Sequence, residues 1–529
     1  MGYEEVIHVL GDFGRYQKRI YFLLCLPAIL CAFHKLANVF LIAEPHQRCR
    51  LPFETKDATY SINETLFPEY YPYDTINKKY SECEIIIDNK TEKCTEYIYD
   101  HSVYGYTTVI EWDLTCSKTY LVATGNALFM FGVMLGSIIF GQLSDRYGRK
   151  LIFFISLILQ VTAGILASVA PEFWSFTFAR MIIGSTTSGV FLVAYVIALE
   201  MVSANKRPIA GTVCQMFFSV GYMLTAVFAI YIDNWRTLQL ALSLPGLCFL
   251  CYWWFIPESV RWLLSKNRLV EAKELIQRAA KENRVHVTDN VLDEMLISEI
   301  EKTDNPGKKE STVLDIFKYP KLRRRALIIF FDWFACNITY YGLSWSTNNL
   351  GGNPYINFVL SGLVEIPAYA FLIVVLNRWG RKRVQCGCMI VAGMALLSSL
   401  IISADQYFFI VLAAMVGKLA VTSAYGTIYI FSTEQFPTVI RNAGLGACST
   451  CARVGSVLAP YINVLNKIWQ PLPLVIFGII TLIGGVLSLL LPETLNKKLP
   501  ETMEEGESFG QKKTEIQQME EEPMNNVKV

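Results

Sequence analysis

Apolar residues in this chain gather into twelve runs of membrane-crossing length, separated by short polar connections and two long hydrophilic insertions. The runs lie at roughly 20–42, 120–142, 151–170, 173–199, 209–232 and 236–256 in the first half. In the second half they lie at roughly 326–347, 356–376, 384–403, 407–431, 439–463 and 471–491. A helix needs about 20 apolar residues to cross the hydrocarbon core, so the pattern predicts an all-α membrane protein with twelve transmembrane helices. Gly, Pro, Asn or single charges interrupt several runs. Packed helices tolerate this because neighbours satisfy the freed backbone groups. The first run is too long for the apolar region of a signal peptide, and no small-residue cleavage site precedes Cys49.

The runs are organised by an internal repeat. Residues 145–150 read DRYGRK and residues 377–382 read NRWGRK. At nearly the same offset, Glu200 and Arg207 find Glu434 and Arg441, and Pro257-Glu258-Ser259 finds Pro492-Glu493-Thr494. Three marks in one order imply a duplication into two pseudo-symmetric six-helix halves in parallel arrangement. The expected domains are a cytoplasmic N-terminus (1–19), a first half (20–256) with an extracellular loop (43–119), a cytoplasmic linker (257–325), a second half (326–491) and a disordered cytoplasmic tail (492–529). A duplicated bundle of this kind is a carrier's architecture, with the substrate site between the halves.

Composition and charge sharpen this picture. Hydrophobic residues make up 53% of the chain, charged residues only 18%, and mean hydropathy is +0.34, whereas a soluble chain carries about 25% charged residues. A net charge of +1 gives no reason to expect a nucleic-acid partner. Arg15, Lys18 and Arg19, then Arg146, Arg149 and Lys150, then Lys321 and Arg323 to Arg325, then Arg378 and Arg381 to Arg383 all fall on one side of twelve spans. The positive-inside rule makes that side the cytoplasm and puts both termini there, in a multi-pass protein of the plasma membrane. The 43–119 loop holds Cys49, Cys83, Cys94 and Cys116, an even set that reads as two disulfides with three possible connectivities. Asn63 and Asn89 head glycosylation sequons in the same loop. Asn337 heads a third, but inside a span, where no glycosyltransferase reaches. Residues 269–283 show helical amphipathic spacing, expected of a short cytoplasmic bundle. The tail after Glu501 is acidic and polar and reads as disordered. Its last residues, Val527-Lys528-Val529, could add a strand to a PDZ-domain partner.

GQLSDRYGRK resembles the signature loop of the major facilitator superfamily, which implies two six-helix halves and alternating access. A narrower resemblance rests on GDFGRYQK (11–18), the four-cysteine loop, EWDLTC (111–116), PESVRWLLSKNR (257–268), STEQFPTVIRN (432–442) and LPETLNKKLPET (491–502). Together these resemble the organic cation, carnitine and organic anion transporter family from near residue 1 to about 510. YYGLSWSTNNLGG (340–352) and VEIPAY (364–369) resemble its cation and carnitine branches, and the chain looks closest to the invertebrate organic cation transporters. The charged repeats then imply a cytoplasmic gate of Asp145, Arg146, Arg149 and Glu200 in one half and Arg378, Arg381, Glu434 and Arg441 in the other.

The resemblance also implies a substrate pocket between the halves at mid-membrane. Its lining would include Phe191, Tyr195, Gln215, Phe218, Tyr340, Tyr341, Glu365 and Tyr425. Aromatic faces attract an ammonium, and a carboxylate inside the membrane is costly and usually functional. One position departs from the cation pattern: Arg453 stands where the cation carriers have an Asp. Lys418 adds a second cation, as in the anion branch. A guanidinium fork suits a carboxylate, so cage and clamp together suit a zwitterion such as carnitine. His34 and Lys35 interrupt the first run and point to the pocket or the outer gate, and Asp332 is placed to pair with the basic KLRRR segment. There is no Walker-type loop for an ATP-driven pump, no zinc-ligand spacing and no nucleophile elbow. The sequence therefore predicts no enzyme, cofactor or metal. It predicts a secondary-active or facilitative transporter of small organic cations or zwitterions. The alternatives are an organic anion exchanger of the same family and a non-transporting membrane scaffold or receptor.

Overall fold

The computed structural model describes residues 3–55, 58–61, 67–74, 79–88, 90–203, 206–285, 313–403, 406–497 and 499–509. Six long helical stretches form the first half: α1 (Arg15–Leu41), α2 (Thr119–Tyr147), α3 (Arg149–Ser168), α4 (Phe173–Glu200), α5 (Arg207–Tyr231) and α6 (Trp235–Trp254). Six more form the second: α7 (Pro320–Trp345), α8 (Pro354–Trp379), α9 (Arg381–Leu400), α10 (Tyr407–Gln435), α11 (Arg441–Val464) and α12 (Leu472–Ser488).

Among the described residues, ten of these are long and apolar enough to cross a bilayer, against the twelve apolar spans expected. The two exceptions have plain causes. α12 has only 17 residues, and α11 carries Arg441 and Arg453 among Gly, Ser, Thr and Cys. α7 starts at Pro320, so the KLRRR segment is helical rather than a loop before the span. α8 is interrupted at Val364, because Pro367 has no N–H for the carbonyl of Leu363. Pro27 and Pro245 likewise open new helical segments inside α1 and α6.

Small residues set the packing. A Cβ at Gly132 or Gly136 would collide with the carbonyls of Met181 and Ser185, so α2 and α4 touch backbone to backbone. Within the second half, α7 packs on α11, and α9 lies against α10 and α12. Across the halves, α2 packs on α11 and α5 on α8.

Among the described residues, the 43–119 insertion adds what an all-α expectation omits, three two-stranded ribbons: Gln47–Cys49 with Tyr97–Tyr99, Tyr73–Asp74 with Lys79–Tyr80, and Glu84–Ile87 with Lys90–Lys93. Of the three connectivities, the structure has Cys49–Cys94 and Cys83–Cys116. Arg48, 3% exposed, forks onto Glu54 at 2.6 and 2.7 Å. Burial pushes the Glu54 carboxyl up, but Arg48 and the Leu51 N–H outweigh it and hold that carboxyl below its ordinary range. The two sequon residues, Asn63 and Asn89, lie outside the described residues. Asn337 is fully buried within α7.

On the opposite side, the amphipathic helix Leu269–Asn283 docks on the start of the chain. Asn283 accepts from the Tyr16 N–H and donates to the Leu10 carbonyl, both at 2.9 Å. The tail departs from the expected disorder over Met503–Ser508, a short helix whose Glu507 accepts from the Lys321 and Leu322 N–H groups at 3.0 and 2.8 Å. The carboxylate caps the free amides that every helix start exposes. Arg325 donates to the Gly506 carbonyl. The basic segment is thus occupied by the tail and not by Asp332, which is buried and accepts from Ser488 on α12 at 2.5 Å. Val527 to Val529 lie outside the described residues.

Candidate functional site

The repeated motifs fold into two matching clusters at one end of the bundle. Gly148 turns the chain between α2 and α3 with φ +115°, and Gly380 does the same between α8 and α9 with φ +89°. Glu258 then caps α3 through the Arg149 and Lys150 N–H groups at 3.0 and 3.1 Å, and Glu493 caps α9 through those of Arg381 and Lys382 at 3.0 and 3.2 Å. Arg149 pairs with Glu200 at 3.0 Å, and Arg381 with Glu434 at 3.1 Å. Ser259 donates to Glu200 as Thr494 does to Glu434. Each of these pairs stays within one half. Asp145 also reaches Arg149, at 3.2 Å. Arg146 is exposed over the Tyr147 ring, Arg378 is exposed, and the Nε of Arg441 is buried without a partner. Of the expected gate residues, the structure therefore joins Asp145, Arg149, Glu200, Arg381 and Glu434, and leaves Arg146, Arg378 and Arg441 outside the pairs.

The side opposite the repeated motifs is closed by contacts between the halves. Trp345 donates to the Lys35 carbonyl at 3.3 Å, Asn348 to the Val39 carbonyl at 2.9 Å, and Phe40 stacks on Tyr355 at 5.3 Å. Lys467 pairs with Glu44 at 2.5 Å. On the side of the repeated motifs a cleft of about 500 Å³ opens between α4–α5 and α8–α10, lined by Tyr195, Thr212, Gln215, Tyr369 and Tyr429, with Arg381 and Glu434 also on its wall.

Above this cleft, mid-membrane side chains form one connected cluster. Glu365, fully buried, accepts from Tyr340 at 2.6 Å and from Ser219 on α5 at 2.7 Å. Lys418 pairs with it at 3.2 Å, stands 3.3 Å from the Tyr340 ring centre and donates to Ser344. The carboxylate expected to await a substrate ammonium is thus matched by the chain's own ammonium. Lys418 is a partner of Glu365 rather than a free second cation beside Arg453. Tyr340 stacks on Tyr425 at 5.8 Å, and Tyr341 packs edge-on to Tyr340 at 5.1 Å. Arg453, partly buried, faces Tyr425, Tyr341 and Tyr429. Its Nε has no partner, and it makes no ion pair among the described residues. On the opposite wall Phe191 lies 6.0 Å from Tyr195 and 6.2 Å from Phe218. Tyr195 and Gln215 line the cleft, while the other expected pocket residues sit in the cluster above it.

Sequence reasoning passed over Ser219, Ser344, Tyr369 and Tyr429. Tyr429 was within reach, because it follows Tyr425 by one helical turn and so shares its face. Ser219 and Ser344 carry no such signal. His34 contributes its carbonyl to Arg180 at 2.7 Å, within the first half.

Comparison with known proteins agrees with this architecture. A family model described as sugar (and other) transporter matches residues 73–505. The chain is 56% identical over 525 residues to the organic cation transporter protein of Drosophila melanogaster, covering 97% of this chain and 96% of that one. It is 32% identical over 524 residues to the human organic cation/carnitine transporter 2, covering 95% and 93%. Among solved structures, the xylose transporter XylE from E. coli in a partially occluded inward-open conformation superposes with a TM-score of 0.64 at 14% identity, over 92% of this chain and all of that one. With two six-helix halves around a cleft and the fold of the xylose transporter, the chain belongs to the sugar (and other) transporter family, beside organic cation and carnitine transporters.

Proposed function

We propose that the chain carries small organic zwitterions, ammonium compounds bearing a carboxylate such as carnitine, across the plasma membrane by alternating access. The observation that carries this reading is the unpaired Arg453 beside a self-neutralised Glu365–Lys418 pair. A guanidinium with no protein counter-ion suits a substrate carboxylate. The tyrosine faces around it suit the ammonium. Transport of organic cations by named relatives fits the same cage. Both termini are cytoplasmic in this reading, because the basic clusters lie opposite the disulfide-bonded insertion. Asn63 and Asn89 carry glycan on the outer side. Asp145, Arg149, Glu200, Arg381 and Glu434 bias the gate, and the terminal Val527-Lys528-Val529 is offered to a PDZ domain.

Saturable uptake of labelled carnitine and tetraethylammonium tests the reading. Arg453→Gln should raise the KM for carnitine about 30-fold or more, the effect of removing one member of a buried charge pair. The KM for tetraethylammonium should stay within about threefold, a few tenths of a kcal/mol. An equal effect on both substrates would overturn the carboxylate assignment.

A further inference from the structure

Lys35 lies on α1 with 7% of its surface exposed, well inside the membrane-spanning part of the first half. Its ammonium stands 5.5 Å from the ring centres of both Phe191 and Phe218. It makes no ion pair or hydrogen bond among the described residues. The two rings belong to the cluster that also holds Glu365, because Ser219, next to Phe218, donates to that carboxylate. Glu365 is already matched by Lys418, so nothing in the cluster balances Lys35.

An ammonium in the membrane interior is costly unless paired. Ring faces return part of that cost, and at 5.5 Å only weakly. The remainder calls for an anion that the protein itself does not supply. Position along the pathway is equally informative. The Lys35 carbonyl receives the Trp345 N–H of the closed outer gate, so Lys35 sits directly under that gate. Arg453 sits lower, against Tyr429, which lines the cytoplasmic cleft. The two cations without a protein counter-ion therefore lie at different depths of the bundle, Lys35 beneath the Trp345 contact and Arg453 beside the cleft through Tyr429.

We infer that Lys35 is an anion-binding residue of the central site, the outer station at which a substrate carboxylate is first held, with Arg453 as the inner station. This rests on the central cavity being the substrate site, as proposed above. It makes Lys35 a specificity-determining residue: its charge favours carboxylate-bearing substrates and opposes simple cations on entry from outside.

The test measures carnitine KM from each side in cells or proteoliposomes, normalised to inserted protein. Lys35→Gln should raise the KM for entry from the outer face about 10-fold or more, while the KM for exit from the inner face changes less than about threefold. Tetraethylammonium entry should be unchanged or improved. Lys35→Arg, which keeps the charge, should restore carnitine entry. It also keeps the test decisive if the glutamine variant fails to insert, since loss of carnitine entry in an inserted Lys35→Arg protein with tetraethylammonium entry intact would count against a purely electrostatic station. Unchanged carnitine entry in Lys35→Gln overturns the inference. If Arg453→Gln still raises the carnitine KM in that case, the central site stands without Lys35. If neither variant has an effect, the site reading itself fails.

Discussion

The motif-bearing ends of the two halves are close copies, and the walls above them are not. At the ends, Gly148 and Gly380 make the same turn, Glu258 and Glu493 cap the same helix starts, and the Arg149–Glu200 and Arg381–Glu434 pairs match to within 0.1 Å (3.0 and 3.1 Å). At mid-membrane, the first half offers Lys35 between two phenylalanines. The second offers Glu365, Lys418, Arg453 and a group of tyrosines. The repeat is kept at the motif-bearing ends and lost along the walls above them. A two-state carrier needs its gates balanced, because any ligand shifts the equilibrium only by its differential affinity. Its site has no such need for symmetry.

The largest expected effect falls on the divergent wall. Glu365→Gln leaves Lys418 buried without its partner, and breaking a buried pair costs about 3–5 kcal/mol. Transport of every substrate should collapse, and the detergent-solubilised protein should melt earlier. Lys418→Met in the same chain should recover much of the stability, which fluorescence-detected size exclusion after heating would show. A double variant no more stable than Glu365→Gln alone would mean that the pair is not the unit described.

The copied ends should respond alike. Arg149→Ala and Arg381→Ala each remove a half-buried ion pair, and both should lower the maximal uptake rate about 10-fold, the range of 1–2 kcal/mol in a gate equilibrium, with little change in KM. Arg146→Ala and Arg378→Ala touch exposed side chains outside those pairs and should change the rate less. Rates for Arg149→Ala and Arg381→Ala that differ by more than an order of magnitude would break the equivalence of the two ends.

Smaller effects belong to the peripheral elements. Glu507→Ala removes the cap on α7 and should cost about 1 kcal/mol of stability, visible as a modest drop in melting temperature and not as altered KM. The outer insertion should weaken on acidification. The Glu54 carboxyl is held below its unfolded range, so its contribution is fully present above that range and is lost as pH falls through the lower, folded one. Protease sensitivity of the insertion should therefore rise toward acid pH in wild type, and less so in Glu54→Gln.

Much of this arrangement was legible in the sequence because its signals are local. The DRYGRK and NRWGRK motifs, the glutamates at 200 and 434 and the Pro-Glu pairs at 257 and 492 mark the duplicated ends directly, and their spacing is the spacing of the contacts. The aromatic positions of the pocket came from the family resemblance and from no local pattern. What stayed hidden depends on geometry between distant segments. Glu365 and Lys418 lie on different helices, and nothing local says that they meet. The tail helix over Met503–Ser508 has the composition of a solvated segment and is ordered by Leu322 and Arg325 of another element. α11 falls short as an apolar span partly because polar residues on it pack against α7, where Ser456 donates to Asn337 and Asn463 to the Gly342 carbonyl.

The central claim is that the cavity reads a carboxylate, and wild-type protein can test it without any substitution. Carnitine and its methyl ester share one ammonium, and the ester replaces the charged carboxylate with a neutral, slightly larger group. Their inhibition constants against labelled carnitine uptake should differ by about 10-fold or more, the weight of a charge pair in a desolvated site, with the ester the weaker ligand. An ester that competes as well as carnitine, or better, would contradict the account and return the cavity to a site for simple cations.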